Sequence, residues 1–342
     1  SARSRKRTSR AKSRRLRTRL NGLSVQLAER ATPLGAIWAM AAVFFFSLND
    51  VIVKFLSDDF ALYQLIFTRS IVGIIFILLV IVPLTGSYSM LKTRRPFMHL
   101  LRGTAVVMAN FCFFLGLAVL PLGEAVAIFF VSPLLIAVFS VIFLGEKVGP
   151  FRWLAIGIGL LGVIIILRPG TEAFRLAALL PILAATFYAT LHILTRRIGG
   201  TENASQMAFY IQLTFIIIGG AAGLALGDGG FDRFDHPSAI FLFRAWTMPG
   251  AFDFFLMAAL GLTSATGGYA ISQAYRLSEA ALVAPFEYIA LPLAVFWGMT
   301  LFGERPDAIT FAGIALILGG GLTLVWREKI RQRRGVAGVP RG

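Results

Sequence analysis

The sequence predicts an all-α membrane protein with ten transmembrane helices, built as two inverted five-helix repeats with both termini in the cytoplasm. This prediction rests on the hydropathy of the chain, on the distribution of its basic residues and on a pattern that occurs twice. Of the 342 residues, 57% are hydrophobic, and the mean hydropathy is +0.77. A soluble protein of this length does not have a core large enough to bury so many apolar side chains.

Ten apolar stretches are long enough to cross a bilayer, whose hydrocarbon core requires about 20 apolar residues per helix. The longest gap between them, 228–250, is a short loop, so no separate extramembrane domain is expected. The first five stretches form one predicted repeat, 34–168, and the last five form the second, 176–326. The ten stretches are 34–56, 62–84, 98–120, 123–144, 150–168, 176–196, 205–227, 251–275, 280–302 and 306–326.

The 33 lysine and arginine residues predict the orientation of these helices. If the N-terminus is cytoplasmic and the helices alternate in direction, 25 of the 33 lie on the inner side, five on the outer side and three within spans. An excess of basic residues in cytoplasmic segments follows the positive-inside rule and favours cytoplasmic termini. The terminal segments 1–33 and 327–342 are therefore predicted as basic cytoplasmic tails. The first of them is expected to be disordered and to contact anionic lipid.

The net charge of +16 would indicate a nucleic-acid-binding protein if the chain were soluble. Here the orientation in the membrane explains the charge, so the expected partners are the lipid bilayer and a small-molecule metabolite, with no nucleic acid. We expect a multi-pass protein of the cell inner membrane that is a monomer or a homodimer. No cofactor and no metal is expected, and the single cysteine, Cys112, excludes an internal disulfide.

Two segments of the sequence share the same order of features. In each, a proline precedes a Gly-Glu pair, and a glycine-rich apolar helix follows. The interval from Pro133 to Glu146 is thirteen residues, and that from Pro292 to Glu304 is twelve. Because each repeat contains an odd number of helices, the second repeat must cross the membrane in the opposite orientation. Inverted repeats of this kind form secondary transporters, in which a site between the two halves opens alternately to each side.

Shorter motifs add a family resemblance to this repeat. They are Asn49-Asp50-Val51-Ile52 with Lys54, Arg95-Pro96-Phe97 with His99, Leu101-Arg102-Gly103, and Pro285-Phe286-Glu287-Tyr288. With the two Gly-Glu repeats, they resemble the EamA-domain branch of the drug/metabolite transporter superfamily over residues 34–326, and within it the S-adenosylmethionine uptake transporters. Relatives similar to riboflavin importers share the same motifs. The resemblance implies ten helices, a central cavity walled partly by the fourth and ninth helices, and transport of a small organic metabolite.

Charged side chains are predicted inside the outer half of the membrane. Asp50 and Lys54 share one face of the first helix at i, i+4 spacing. At 1.5 Å per residue, Asp50 lies about 9 Å below the outer end of this helix, and Arg69 lies about 10 Å below the outer end of the second. Asp50 and Arg69 are therefore a candidate interhelical ion pair.

Charge within the membrane is costly and frequently marks a transport pathway. Asp50, Arg69, Lys54 and the neighbouring Asn49 are thus candidates for substrate or coupling-ion contacts. The alternatives are a structural ion pair between two helices and, for Lys54, a side chain that extends to the membrane surface.

Glu287 is the leading candidate for a functional acid. It lies about two turns into the ninth predicted span, between Pro285 and Pro292. A proline removes a backbone donor, and broken helices at membrane depth frequently line a cavity. Glu287 and Tyr288 are therefore predicted to bind a cationic or amphipathic substrate or to carry a coupling proton. The alternative is a glutamate that is hydrogen-bonded within the bundle.

Several further residues are weaker candidates. Arg102 and His192 lie near the cytoplasmic side. For Arg102 the simpler interpretation is a side chain that extends to the membrane surface. His192 titrates near neutral pH when unperturbed, and its alternative is a hydrogen-bonded histidine at a helix end. Glu146 and Glu304 close the fourth and ninth helices and are interpreted mainly as caps or hinges, with Pro133 as a helix break.

One glycine motif is interpreted as a packing surface. The segment Gly157-Ile-Gly159-Leu-Leu-Gly162 has the letters of the dinucleotide-binding fingerprint, but it lies inside an apolar span with no preceding strand. Small residues in such a span let helices approach closely. Gly319-Gly320-Gly321 is predicted to serve the same purpose in the tenth span.

The sequence thus favours a secondary transporter for a solute like S-adenosylmethionine, or for another amphipathic or cationic solute. The chain contains no Walker A sequence, no His-Glu-x-x-His and no Gly-x-Ser-x-Gly, so an enzyme is not predicted. The alternatives are an importer of a vitamin such as riboflavin and an exporter of amino acids or drugs. An intramembrane enzyme or a lipid flippase would be a different class.

The charge distribution generates a test of the topology. A membrane-impermeant thiol reagent applied from the outer side is expected to label Ser57→Cys and Ser238→Cys but not Ser13→Cys or Thr93→Cys. Labelling with the reverse pattern would contradict the predicted orientation of all ten helices.

Overall fold

The structure, a computed structural model, describes residues 34–145, 150–169, 175–198, 202–231, 233–277 and 286–337. These residues form helices joined by short loops, and no strand occurs within the described ranges. The predicted all-α class is confirmed. The N-terminal tail 1–33 and the last five residues lie outside the described part of the chain.

Ten helices are numbered in chain order, and the fourth consists of two segments. A short helix, Pro237–Phe243, lies in the loop between α7 and α8. A π-helical turn, Ile77–Ile81, lies within α2. The helices are α1 (Leu34–Leu56), α2 (Leu62–Thr85), α3 (Pro96–Leu117), α4 (Leu122–Phe129 and Ser132–Leu144), α5 (Pro150–Leu167), α6 (Leu179–Ile198), α7 (Ala204–Leu226), α8 (Ala251–Leu277), α9 (Ala290–Leu301) and α10 (Ala308–Ala337).

Seven helices in the described ranges are long and apolar enough to cross a membrane, namely α1 to α4 and α6 to α8. Shorter apolar helices, Trp153–Leu167, Ala290–Leu301 and Ala308–Thr323, lie at the predicted fifth, ninth and tenth spans. Large apolar side chains such as Leu224 are exposed on the outside of the bundle, as they are on a surface that faces lipid.

Helix α10 differs from the predicted span 306–326 because it continues to Ala337. The extra residues, beginning Arg327-Glu-Lys, are rich in arginine, lysine, glutamate and glutamine. These side chains have high helix propensity, so the helix persists where the apolar stretch ends. The predicted tail 327–342 therefore begins as a helix.

The helices pair in a pattern that repeats between the two halves of the chain. Helix α2 packs against α7 and α8, and α7 in turn packs against α2 and α3. Helix α4 packs against α9, and α5 packs against α10. Adding five to each helix number, and counting on from α10 to α1, turns the α2–α8 contact into the α7–α3 contact. It leaves the pairs α2–α7, α4–α9 and α5–α10 unchanged. Two repeats related by a twofold axis would produce the same pattern.

The interface between α5 and α10 shows this relation at the level of atoms. A Cβ atom added to Gly162 would lie 2.7 Å from the carbonyl oxygen of Gly313, and one added to Gly320 would lie 2.8 Å from that of Ala155. Each residue of the second contact is 158 positions from its equivalent in the first. The glycines therefore let two backbones touch, as the packing interpretation of this motif predicts.

Helix α4 is interrupted just before Pro133, and a turn just before Pro292 separates α9 from the helical residues 286–287. Turns at Phe130–Val131 and Tyr288–Ile289 separate the helical segments. Pro133 and Pro292 have no N–H to donate to the carbonyl four residues earlier, and their rings clash with it. The helix is consequently disrupted at the same place in both halves.

The glycines that precede the repeated glutamates also match. Gly145 and Gly303 have φ angles of 68° and 65°, in the left-handed region. A glycine in this conformation after the last helical turn is a common helix end, because it has no Cβ to clash. Gly145 therefore ends α4 in the same way as Gly303 ends α9.

The side-chain environment changes the best positions for the labelling test. Ser57 and Ser238 are only 7% and 9% exposed, and their hydroxyls donate to the carbonyl oxygens of Lys54 and Leu115. Asp59 and Arg233 are exposed in the same two loops. Asp59→Cys and Arg233→Cys are therefore the better outer probes.

The α5–α10 contact generates a stability prediction. Gly162→Ala and Gly320→Ala should each lower the stability by about 1–3 kcal/mol, because backbone atoms of the facing helix must move. Gly157→Ala and Gly319→Ala are matched controls, since an added Cβ there meets no atom within 4 Å. Melting temperatures of the purified variants in detergent measure the difference. Equal melting temperatures for the two groups would contradict the described contact.

Candidate functional site

Lys54 forms an ion pair that joins the predicted outer ends of four helices. Its Nζ lies 2.9 Å from Oε1 of Glu304, which follows α9. The same Nζ donates to the carbonyl oxygens of Leu117 and Leu120, at 3.1 and 2.7 Å, where α3 ends. The other oxygen of Glu304, Oε2, accepts a bond of 2.7 Å from the backbone N–H of Leu122 at the start of α4.

This arrangement places each charge where the helix ends favour it. The cation lies against the carbonyl end of α3, and the carboxylate lies at the N-terminus of α4. The side chains of Lys54 and Glu304 are only 14% and 17% exposed. The alternative in which Lys54 extends to the membrane surface is therefore wrong. Glu304, interpreted from the sequence as a cap or hinge of the ninth helix, here accepts from the first N–H of α4. Its repeat counterpart, Glu146, lies outside the described residues.

Arg69 binds two amide side chains in the interior of the bundle. Its guanidinium donates to Oδ1 of Asn110 at 2.8 Å and to Oδ1 of Asn49 at 3.4 Å. The centroids of the Phe114 and Phe215 rings lie 5.5 and 4.7 Å from the guanidinium carbon, so two aromatic rings stabilise the cation. Only 2% of Arg69 is exposed.

The expected direct ion pair between Asp50 and Arg69 does not form. Among the described residues, the N–O contacts within 4.0 Å that join opposite charges do not include this pair. Consecutive residues of a helix point about 100° apart, and it is Asn49 that faces Arg69. The carboxyl of Asp50 interacts electrostatically with Arg69 at longer range.

The neighbourhood of Arg69 retains unused polar atoms. Nε of Arg69 and the hydroxyl of Ser70 are buried and have no hydrogen-bond partner among the described residues. A buried donor without a partner is costly. These atoms are consequently available to a polar group that enters the bundle.

A second cluster of functional groups surrounds the interruptions of α4 and α9. The ring of Phe130 lies 5.3 Å from that of Tyr288, and the ring of Phe129 lies 5.3 Å from that of Tyr188 on α6. The carboxylate of Glu287 interacts electrostatically with both tyrosines. The disrupted helices thus bring four aromatic rings together, and Glu287 directly precedes one of them, Tyr288, in the chain. Pro285, predicted on one side of Glu287, lies outside the described residues.

Arg102 and His192 lie on the predicted cytoplasmic side of this aromatic cluster. The imidazole of His192 packs edge-on against Tyr188 at 4.6 Å. Arg102 is 4% exposed, and its Nε donates to the hydroxyl of Thr195 at 2.9 Å. The expected extension of Arg102 to the membrane surface is therefore wrong. Nη1 of this buried arginine has no hydrogen-bond partner in the described part of the chain.

Sequence reasoning missed Asn110 and Tyr188 of the two clusters, and it missed the contact of His99 with Glu202, which lies outside them. Asn110 is a single amide in an apolar span, and Tyr188 lies one turn before His192, so the sequence could have indicated both residues. The sequence gives less indication of the contact between His99 and Glu202, in which Nε2 and Oε2 are 3.2 Å apart. Glu202 is an acid on the side of the bundle where basic residues dominate.

The outer ion pair generates a second stability prediction. Lys54→Met should lower the stability by about 2–4 kcal/mol, because it leaves Glu304 and two carbonyl oxygens without their donor. Glu304→Gln should lower the stability less, since the amide oxygen can still accept the hydrogen bond from the backbone N–H of Leu122. Arg168→Gln serves as a control at the more exposed outer pair with Asp307. Melting temperatures measure the order, and a larger loss in Glu304→Gln than in Lys54→Met would contradict it.

Comparisons with known proteins place these residues in a family. The model of the EamA-like transporter family matches residues 33–168. The chain is 30% identical to a riboflavin transporter of Vibrio cholerae over 310 residues, which cover 89% of this chain and 97% of the relative. It is 27% identical to an S-adenosylmethionine uptake transporter of Rickettsia conorii over 302 residues, 88% of this chain and 95% of the relative.

Another relative moves its solute in the opposite direction. A pseudopaline exporter of Pseudomonas aeruginosa is 26% identical over 296 residues, 86% of this chain and 97% of the relative. A solved crystal structure aligns with a TM-score of 0.61 at 18% identity, covering 86% of this chain and 98% of its own. That structure shares the fold. The coverage, the repeated Gly-Glu pattern and the identity to the riboflavin transporter establish that the chain belongs to the EamA-like transporter family of the drug/metabolite transporter superfamily.

Proposed function

We propose that the protein is a secondary transporter that moves a small organic metabolite across the cell inner membrane by alternating access. The proposal includes ten membrane-spanning helices, an inverted relation between the repeats 34–168 and 176–326, and cytoplasmic termini. The exchange of equivalent contacts between the two halves supports the repeat relation. The named transport activities of the relatives support the function.

The observation that carries the proposal is the cluster around Glu287. It combines a carboxylate, two tyrosine hydroxyls and the rings of Phe129 and Phe130 at the point where α4 and α9 are disrupted. Aromatic rings stack on flat heterocycles, and a carboxylate among them stabilises a positive charge. Half-helices that meet at membrane depth form the substrate sites of secondary transporters.

The two clusters together favour a solute with charges of both signs. Glu287 can neutralise a cationic group, whereas the free Nε of Arg69 can donate to a carboxylate. S-adenosylmethionine has an adenine ring, a sulfonium cation and a carboxylate, so all three elements find a counterpart. Riboflavin has a flat ring system without net charge and would use the aromatic rings alone. An exporter of amino acids or drugs is the further alternative.

The outer ion pair supplies the closed position of an outer gate. Lys54 and Glu304 belong to different repeats and hold the ends of α1, α3, α4 and α9 together. Access from the outer side requires these ends to separate, which breaks the pair. A two-state element of this kind is what alternating access needs.

Reconstitution tests the function. Proteoliposomes containing the full chain are incubated with a pool of metabolites, and trapped compounds are identified by mass spectrometry. We expect a chemically unchanged small solute whose uptake saturates and exchanges with unlabelled solute. A chemically altered product would indicate an intramembrane enzyme, and movement of labelled phospholipid alone would indicate a flippase. Either result would overturn the proposal.

Glu287→Gln tests the central acid. The amide keeps the shape of the side chain but removes the titratable charge, so transport should fall at least about tenfold, a loss of about 1.4 kcal/mol. Asp253→Asn, which removes an acid from the first turn of α8, is the matched control and should transport normally. Expression and melting temperature should be unchanged in both variants.

Two assays of the same variant separate the possible roles of Glu287. If the carboxylate carries a coupling proton, exchange of substrate for substrate survives while accumulation driven by a proton gradient fails. If the carboxylate binds the substrate, both fail together. Normal transport by Glu287→Gln in both assays would remove Glu287 from the site.

A further inference from the structure

An open cleft of about 530 Å³ lies at the predicted inner end of the bundle. The loop between α2 and α3 contributes Lys92, Arg94 and Arg95 to its wall, and the start of α7 contributes Asn203 and Gln206. The three cations are close in sequence. No residue of the outer ion pair or of the two clusters described above lines this cleft.

The cationic loop is fixed to α7 by side chains of that helix. Gln206 donates to the carbonyl oxygen of Lys92 at 2.9 Å, and the hydroxyl of Tyr210 donates to that of Leu91 at 3.1 Å. Asn203 donates to the carbonyl oxygen of Met90 at 3.4 Å. The backbone from Met90 to Lys92 is therefore held against α7, which places the start of the cationic loop beside the cleft.

Among the described residues that line the cleft, the one acid, Glu202, is already engaged. Oε2 of Glu202 lies 3.2 Å from Nε2 of His99, and Oε1 accepts a bond of 3.3 Å from the hydroxyl of Thr93. The Glu202 side chain is 5% exposed. It contributes little to the open surface, so the cleft presents mainly positive charge.

An apolar groove lies along α3 and α7, and its wall includes Pro96, the residue that follows Arg95 of the cleft. It has a volume of about 280 Å³, and its walls include Phe97, Leu100, Leu213 and Ile217. Tyr210 and Ile217 are seven residues apart on α7, so the groove extends about 10 Å toward the membrane centre. Phe97, Leu100 and Ile217 are 71%, 51% and 56% exposed.

We propose that the cleft and the groove together bind one anionic phospholipid of the cytoplasmic leaflet. The phosphate headgroup lies among Lys92, Arg94 and Arg95, and one acyl chain lies in the groove between α3 and α7. From the membrane surface toward the membrane centre, the protein presents positive charge first and apolar surface next. An anionic lipid presents its headgroup and its acyl chain in the same order. Basic pockets between helices on the cytoplasmic side are suited to anionic headgroups.

The groove decides between a lipid and a soluble anion. A free phosphate compound would bind the cations of the cleft. The apolar walls of the groove would then have no apolar group in contact with them. An acyl chain, in contrast, gains dispersion contacts along the groove. The proposal therefore commits to the lipid.

Native mass spectrometry of the purified full chain tests the headgroup. Phosphatidylglycerol and phosphatidylcholine with identical acyl chains compete for the protein, and phosphatidylglycerol should bind roughly tenfold more tightly or better. Lys92→Gln with Arg94→Gln and Arg95→Gln should abolish this preference, because the triple variant removes all three cations of the cleft. Arg233→Gln with Arg305→Gln removes exposed arginines from the opposite end of the bundle and should leave the preference unchanged.

A second set of variants tests the groove. Leu100→Trp or Ile217→Trp fills it and should weaken phosphatidylglycerol binding at least roughly fivefold, a loss of about 1 kcal/mol. Leu224→Trp, at a 94% exposed position of the same helix, is the matched control and should have no effect. Glycerol 3-phosphate, the soluble part of the headgroup, should not displace the lipid at equal concentration.

Each outcome decides the proposal. Equal binding of the two lipids, a preserved preference in the triple variant, or identical effects of Leu100→Trp and Leu224→Trp would overturn it. Displacement by glycerol 3-phosphate would assign the cleft to a soluble anion instead. Because these assays measure binding directly, their failure would leave the transport proposal untouched.

Discussion

The absence of water inside a bilayer dictates how this protein must treat its backbone and its charges. Every helix end and every intramembrane cation needs a partner within the protein. The contact of Lys54 with Glu304 meets several of these needs at once, because it satisfies carbonyl oxygens of α3 and an N–H of α4 while the two charges neutralise each other. Helices from both halves of the chain are thereby connected at one end.

The same constraint explains why the two interior clusters are of opposite character. Arg69 is surrounded by amides and aromatic rings that stabilise a cation without neutralising it. Glu287 lies among tyrosines that can donate to a carboxylate. Arg69 in addition keeps one buried donor, Nε, without a hydrogen-bond partner among the described residues. This donor can still bind a charged solute that enters the bundle.

The sequence predicts the features that depend on one helix at a time. The interruptions near Pro133 and Pro292 follow from the chemistry of proline, and the close contact at Gly162 follows from the size of glycine. It does not predict which way a side chain points around its helix, so Asp50 was assigned to Arg69 in place of Asn49. Nor does it predict contacts between distant helices. The partners of Lys54 and Arg102 depend on how α1, α3, α6 and α9 pack, which no local pattern encodes.

The contact between α5 and α10 has a consequence for the origin of the chain. Gly162 meets Gly313, and their equivalents Gly320 and Ala155 meet in the same manner. An ancestral single repeat that assembled with an inverted copy of itself would form both contacts from one sequence. A mutation in such a dimer would alter both contacts simultaneously. In a single chain that contains both contacts each can vary alone. Here one contact pairs two glycines, and the other pairs a glycine with an alanine.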